Sequence, residues 1–470
     1  MGQKIAFGIG MLANQMFPAA LGIFMVVLVR DLGFPPLLWG IVFFFPRIFD
    51  AITDPIMGFI SDNTRSKWGR RRQYVLLGAL VMGISYIIMW QLHKENSLTY
   101  NFVYFMIFSF LFYLGLTIFS VPYVAMGYEM SSDFHERTRI MAVAQWIGQW
   151  AWVIAPWFWV IIYKPEWFPS PAAGCRQLAI WVGLLCMGFA MVPALFIKSK
   201  STVDADHLQE LSRKNIKKNV SVFFKGFVDA FKNVEFRRLC VSTFFIFNSF
   251  NTIAAFSFFI IVYYLFGGDA GAAGIWAPLH GCVGALSTTF IVIPIVSKMA
   301  QKIGKKKTFI ISQSISIIGY ILFWFTFVPG KPYLFFIALP FFSFGIGGLF
   351  TLMMSMTADV CALDELNTGL RREGIFGAIF WWMVKFGFAI AGLLSGSIMA
   401  LVKFSPDAAV QPPGAMTGMR IFYSALPVVG TLLAILIMSK YDLTEKRANE
   451  IRAELDERHR INGDDEEKQS

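Results

Sequence analysis

Long apolar runs recur along this chain from end to end, each close to the ~20 residues that carry a helix across a bilayer. Twelve crossings are predicted, over 5–29, 37–61, 74–93, 99–128, 139–163, 174–197, 237–266, 273–299, 308–328, 331–360, 373–402 and 415–440. This pattern specifies an all-α membrane protein, because helices satisfy their own backbone polar groups inside lipid. Composition agrees: 56% of the 470 residues are hydrophobic and 15% are charged, against about 25% charged in soluble domains. The net charge of +11 does not call for nucleic acid, because the basic residues sit in short loops where they anchor topology. The five cysteines, Cys175, Cys186, Cys240, Cys282 and Cys361, lie in or beside apolar runs without metal-ligand or disulfide spacing. No nucleophile–base pair or phosphate loop marks an enzyme. The first run continues to full spanning length, so no cleavable signal is expected.

The basic loops fall on one side. Arg65, Lys67 and Arg70 to Arg72 follow the second crossing, and Arg137 and Arg139 the fourth. Lys298, Lys302 and Lys305 to Lys307 follow the eighth, and Arg371 and Arg372 the tenth. Positive-inside logic places both termini in the cytoplasm of a plasma (bacterial inner) membrane. A central loop, 198–236, separates a half at 1–197 from a second at 237–440, and a charged tail, 441–470, is expected as a solvated cytoplasmic helix. The halves echo one another. Gly69-Arg70-Arg71-Arg72 matches Gly304-Lys305-Lys306-Lys307, and Glu129 with Arg137 resembles Asp359 with Arg371. Duplicated six-crossing units are the pattern of transporters whose site lies between the halves near the midplane.

The second crossing contains Asp50 and Asp54, in FFFPRIFDAITDPIMGFI. A carboxylate at the bilayer centre costs at least ~2.5–3.5 kcal/mol on insertion scales. A spacing of four puts both on one helix face, and two such acids need a positive partner. That partner is a coupling cation or proton, or else Arg47 and Lys385 hold the acids in a static lock. Oxygen donors suit a small hard cation, so Na+ at Asp50 and Asp54 is one expectation. Close carboxylates also suit a proton, because like charges push one pKa upward. Lys385 lies far from either end of its crossing, which argues against snorkelling and for pairing with the acids when the cation is absent.

Gly58-Phe59-Ile60-Ser61-Asp62, with Arg65, Trp68 and the Gly69 to Arg72 run, resembles the loop signature of the major facilitator superfamily. In that reading Asp62 pairs with arginines across the halves, and Asp62, Arg70, Arg71, Glu129, Arg137, Asp359 and Arg371 form the gating set. A narrower resemblance covers most of the chain. Phe49-Asp50-Ala51-Ile52-Thr53-Asp54-Pro55, Val121-Pro122-Tyr123 with Glu129, and Ala358-Asp359-Val360 followed by Thr368-Gly369, Arg371 and Lys385 are similar to the melibiose permease-like glycoside–pentoside–hexuronide:cation symporters. The resemblance implies that Asp50, Asp54, Thr53 and Thr117 bind the cation and that Lys385 and Arg47 serve coupling.

The family's charged sugar-binding groups are missing: Asn14-Gln15, Ser120 and Gln145 stand in the corresponding places. With the acids gone, an anionic solute such as a uronide would meet less repulsion, and Lys385 or His280 would help hold it. The fifth crossing carries Trp146, Trp150, Trp152, Trp157 and Trp159, with Gln149 beside the stripe. Aromatic faces of this kind either stack on sugars or anchor at the interface. Phe350 and Trp381 also align with the family's pocket. Asn248, Asn251 and His280 are either pocket groups or interhelical glue. The resulting expectation is a monomeric symporter for a small polar solute, driven by Na+ or H+, with the bilayer as its surroundings and no cofactor beyond the coupling ion. Two alternatives share the fold: a lysolipid:cation symporter, and a non-transporting receptor or scaffold.

Overall fold

Ser97, Ser170 and Asn233 each accept backbone N–H bonds at the start of a helix, which settles where three of the long elements begin. The computed structural model describes residues 2–130, 134–199, 201–203, 210–369, 373–405, 408, 411–444, 446–451, 453–455 and 457, and contains no strand among them. Its helices in chain order are α1 (Gly2–Arg30), α2 (Pro36–Asp62), α3 (Arg72–Met89), α4 (Leu98–Glu129), α5 (Phe134–Ile154), α6 (Phe158–Ile162), α7 (Pro171–Phe196), α8 (Arg213–Lys232), α9 (Val234–Phe259), α10 (Ala270–Ala273), α11 (Trp276–Ser287), α12 (Ile293–Ile303), α13 (Lys305–Thr326), α14 (Leu339–Thr368), α15 (Glu373–Leu401) and α16 (Ala415–Ser439).

Eleven segments of the described residues are long and apolar enough to cross a membrane. The predicted crossing at 139–163 is not among them. It is split into α5 and α6 by a 3-10 turn at Ala155–Trp157, where Pro156 has no N–H to give the helix.

One bundle packs α1 with α5 and α7, and α3 with α4 and α7; another packs α9 with α14 and α16, and α13 with α14 and α16. Small residues set the spacing. A Cβ on Gly78 of α3 would lie 2.3 Å from the backbone N of Phe119 in α4, and one on Gly319 of α13 would lie 2.3 Å from that of Phe342 in α14. Such close backbone approach is what glycine permits between membrane helices.

Between the bundles, α2 packs along α15. The seam is closed at the end away from the basic loops. Arg30 Nη2 donates to the Gly268 carbonyl at 3.1 Å, and its guanidinium lies 5.0 Å from the Tyr163 ring and 5.8 Å from that of Tyr263. Trp159 meets Phe258 with ring centres 4.0 Å apart, and Trp39 meets Phe259 at 6.3 Å. On the same seam a Cβ at Gly396 would lie 2.3 Å from the Pro36 carbonyl oxygen. Gly396→Val is therefore expected to pry this end open. A single cysteine at Phe259, which is fully buried, should react with an impermeant maleimide about tenfold faster in that background, since packed interfaces switch between discrete arrangements. An unchanged rate would show that the seam absorbs the side chain.

At the basic end the ion pairs among the described residues lie within one bundle or the other. The chain turns at Gly69, where φ is 92°, a conformation that favours glycine. This folds Arg70 onto Glu129 and Arg71 onto Asp62, the latter at 2.6 Å. Gly304 repeats the turn with φ 83°, and Lys305 reaches Asp359 at 2.5 Å. In this conformation Asp62 takes its arginine from its own bundle, because the turn returns the basic run to the helix it has just left, so the pairing expected across the halves is not the one present. Arg371 and the side chain of Arg137 lie outside the described residues.

Two further differences concern the central loop, which is partly helical, and the tail, expected as a solvated helix. Within 198–236, α8 is helical. It lays Phe227 against Trp382 and Phe231 against Phe236, touches both α2 and α15, and exposes Lys214, Lys217, Lys218 and Lys225. In the tail, Leu443, Ala448, Ile451 and Leu455 are buried in one core with Phe236, Leu239 and Tyr441. Spacings of three and four give that segment an apolar stripe, so one face docks on the second bundle instead of facing solvent.

Candidate cation and solute site

Asp50, Thr53 and Asp54 occupy one face of α2, and the sequence places Pro55 immediately after them. Pro55 has no N–H, so the Ala51 carbonyl loses its helical donor and an extra backbone oxygen is freed beside the acids. Across from this face α4 brings Thr117 and α15 brings Lys385. Lys385 Nζ lies 2.7 Å from Asp50 Oδ2 and 2.5 Å from Asp54 Oδ2. Thr117 Oγ1 donates to Asp50 Oδ1 at 2.6 Å and stands 3.3 Å from Asp54 Oδ1.

Thr53 Oγ1 is 3.1 Å from Thr117 Oγ1 and also within reach of the Phe49 and Asp50 carbonyls, at 3.1 and 3.0 Å. Asp50 is buried, with 3% of its surface exposed, while the Asp54 and Lys385 side chains keep 28% and 27% exposed. One ammonium thus sits between two carboxylates and two hydroxyls, all of them hard oxygen donors of the kind a small cation takes. The four predicted cation residues and Lys385 form one cluster.

Arg47 stands one turn away on the same face and does not join it. Its guanidinium carbon lies 3.7 Å from the centre of the Phe43 ring, 5.8 Å from that of Tyr113 and 5.6 Å from that of Phe388. It donates one hydrogen bond, to the Phe43 carbonyl at 3.1 Å. The double lock, in which Arg47 and Lys385 both hold the acids, is therefore not the arrangement present: only Lys385 reaches them. Tyr113 and Phe388, missed from the sequence, lie one turn from Thr117 and Lys385 on their own helices, so the same-face spacing that pairs Asp50 with Asp54 could have found them.

The predicted solute residues are more dispersed. Gln15 accepts from Trp152 Nε1 at 3.0 Å, Asn14 Nδ2 lies 3.8 Å from Met11 Sδ, and Ser120 is half-buried three residues beyond Thr117. Gln145, Trp146 and Gln149 form an exposed stripe on α5, with the Trp146 and Trp150 rings 6.1 Å apart. On the second bundle the rings of Phe350 and Trp381 stand 6.5 Å apart and both are exposed. Trp159 is buried in the closed seam instead. Asn248 donates to the Gly387 carbonyl at 3.4 Å and Asn251 to that of Phe247 at 2.8 Å, contacts that join or stay within helices. His280 is buried among Phe323, Phe327 and Phe335, an apolar cage that removes it from any role beside Lys385.

A family model described as MFS/sugar transport protein matches residues 6–445. The chain is 26% identical over 469 residues to the glucuronide carrier protein homolog of Escherichia coli strain K12, covering 97% of this chain and 96% of that one. It is 22% identical over 449 residues to the isoprimeverose transporter of Lactiplantibacillus pentosus, covering 91% and 85%. Among solved structures, the nucleoside transporter NupG aligns with a TM-score of 0.66 at 14% identity, over 94% of this chain and 100% of that one. A D-xylose–proton symporter aligns with a TM-score of 0.60 at 15% identity, over 93% and 95%.

Proposed function

Since the chain belongs to the MFS/sugar transport protein family, as a cation symporter of the glycoside–pentoside–hexuronide type, we propose that it imports a small polar glycoside, pentoside or hexuronide with Na+ or H+ by alternating access. The chain is a multi-pass protein of the bacterial inner membrane and not an enzyme. In this reading the split segment α5–α6 is the fifth of twelve crossings. The halves are 1–197 and 237–440, with both termini and the 198–236 connection in the cytoplasm. The seam closed away from the basic loops then corresponds to an inward-open state. Asn14, Gln15, Ser120, Gln145, Trp146, Gln149, Phe350 and Trp381 line the solute path.

The observation that carries the proposal is Lys385 within ion-pair distance of both Asp50 and Asp54. A cation entering among Asp50, Thr53, Asp54 and Thr117 must displace that ammonium, and the displaced Lys385 on α15 then alters what the other half presents to the solute. In vesicles with sodium and pH gradients imposed separately, one gradient is expected to accumulate radiolabelled methyl glucuronide or methyl glucoside above equilibrium. Simple equilibration of both probes under either gradient would count against symport.

A further inference from the structure

We propose that Arg47 is the docking group for a carboxylate on the transported glycoside, which makes an acidic sugar the preferred solute; the inference rests on the symport reading above. The guanidinium has five N–H donors, and one hydrogen bond, to the Phe43 carbonyl, is the bond it makes among the described residues. It forms no ion pair there, although two carboxylates stand one and two turns along its own helix. Those carboxylates are taken by Lys385.

The Phe43 ring centre lies 3.7 Å from the guanidinium carbon, a ring-face contact that consumes none of the N–H donors along the guanidinium edge. A carboxylate matches that edge as a bidentate partner. Tyr113 and Phe388 stand around the group at 5.8 and 5.6 Å, so the charge is held by ring faces in a position where water alone solvates it poorly.

Charge balance points the same way. Asp50 and Asp54 against Lys385 and Arg47 make a neutral set when no cation is bound. Loading one cation leaves the set one positive charge in excess near the middle of α2, where an uncompensated charge is costly. A solute carboxylate at Arg47 cancels it, and cation and anionic solute then favour each other's binding. Neutral Asn14-Gln15, Ser120 and Gln145 place no acid in the way.

The test uses the full chain in vesicles with two matched probes, methyl glucuronide and methyl glucoside, which differ in a carboxylate against a hydroxymethyl group. Wild type is expected to favour the glucuronide in uptake affinity by at least ~30-fold, the scale of a lost buried charge pair. Arg47→Gln should bring the two within about twofold, chiefly by weakening the glucuronide, while Arg47→Lys keeps the charge and part of the preference. If the variants fail to fold, wild type decides alone: its preference should shrink when the driving cation is withdrawn. Equal handling of the two probes by wild type, a preference that survives in Arg47→Gln, or one indifferent to the cation overturns the assignment while leaving symport standing. Accumulation of neither probe under any gradient overturns both.

Discussion

Vesicles carrying the double variant Asp50→Asn, Asp54→Asn are expected to lose gradient-driven accumulation by at least ~100-fold, because neither amide supplies the negative charge that a small hard cation takes from a carboxylate. Both charges that would hold a cation go at once, whereas the amides retain the shape. The same change strands the Lys385 ammonium, which now contacts both acids, so a drop in thermal stability is expected alongside. Adding Lys385→Asn to the double variant separates the two effects: it should restore stability, because no unpaired charge remains, without restoring accumulation. Uphill accumulation in the double variant, driven by sodium or proton, would make those acids architectural and remove the coupling proposal.

Lys385→Ala is expected to act in the opposite sense on the cation. With the ammonium gone, Asp50 and Asp54 face one another with Thr117 as a hydroxyl donor, and a cation no longer has a competitor. Its apparent affinity should rise roughly tenfold or more, since a full charge has been removed from the site. Coupled uptake should nevertheless fall to about 1% of wild type, because α15 no longer senses whether α2 is loaded, and coupling needs two states that the ligand distinguishes. Cation binding by calorimetry and uptake in the same preparation decide it. Normal cation-driven uptake in Lys385→Ala would end the role assigned to the residue.

Much of the fold was legible because lipid leaves little choice. Runs of apolar residues near one bilayer thickness must be helices, and the basic loops between them repeat in the two halves. The fifth crossing was harder, since its reading rests on an apolar average that Pro156 interrupts. The segments outside the membrane were misread for a different reason: α8 and the stripe from Ala448 to Leu455 look polar in composition, and only the angular placement of their apolar residues gives away a buried face. At the site, Asp50, Asp54 and Lys385 announced themselves by charge where charge is expensive. Thr53 and Thr117 came from family resemblance; the structure puts Thr117 on Asp50 and Thr53 within hydrogen-bond reach of Thr117. The aromatic shell of Arg47 is fainter: Tyr113 and Phe388 are legible only as same-face neighbours of Thr117 and Lys385, and their meeting around the guanidinium shows only once the backbone places them.

The seating of α8 across α2 and α15 ties a surface element to both moving bodies. Any rocking that changes the angle between those two helices must shear the Phe227–Trp382 contact or carry the whole segment with it. A fluorophore on an exposed lysine position such as Lys225 would therefore act as a dial on turnover, readable in real time and without touching the transport path.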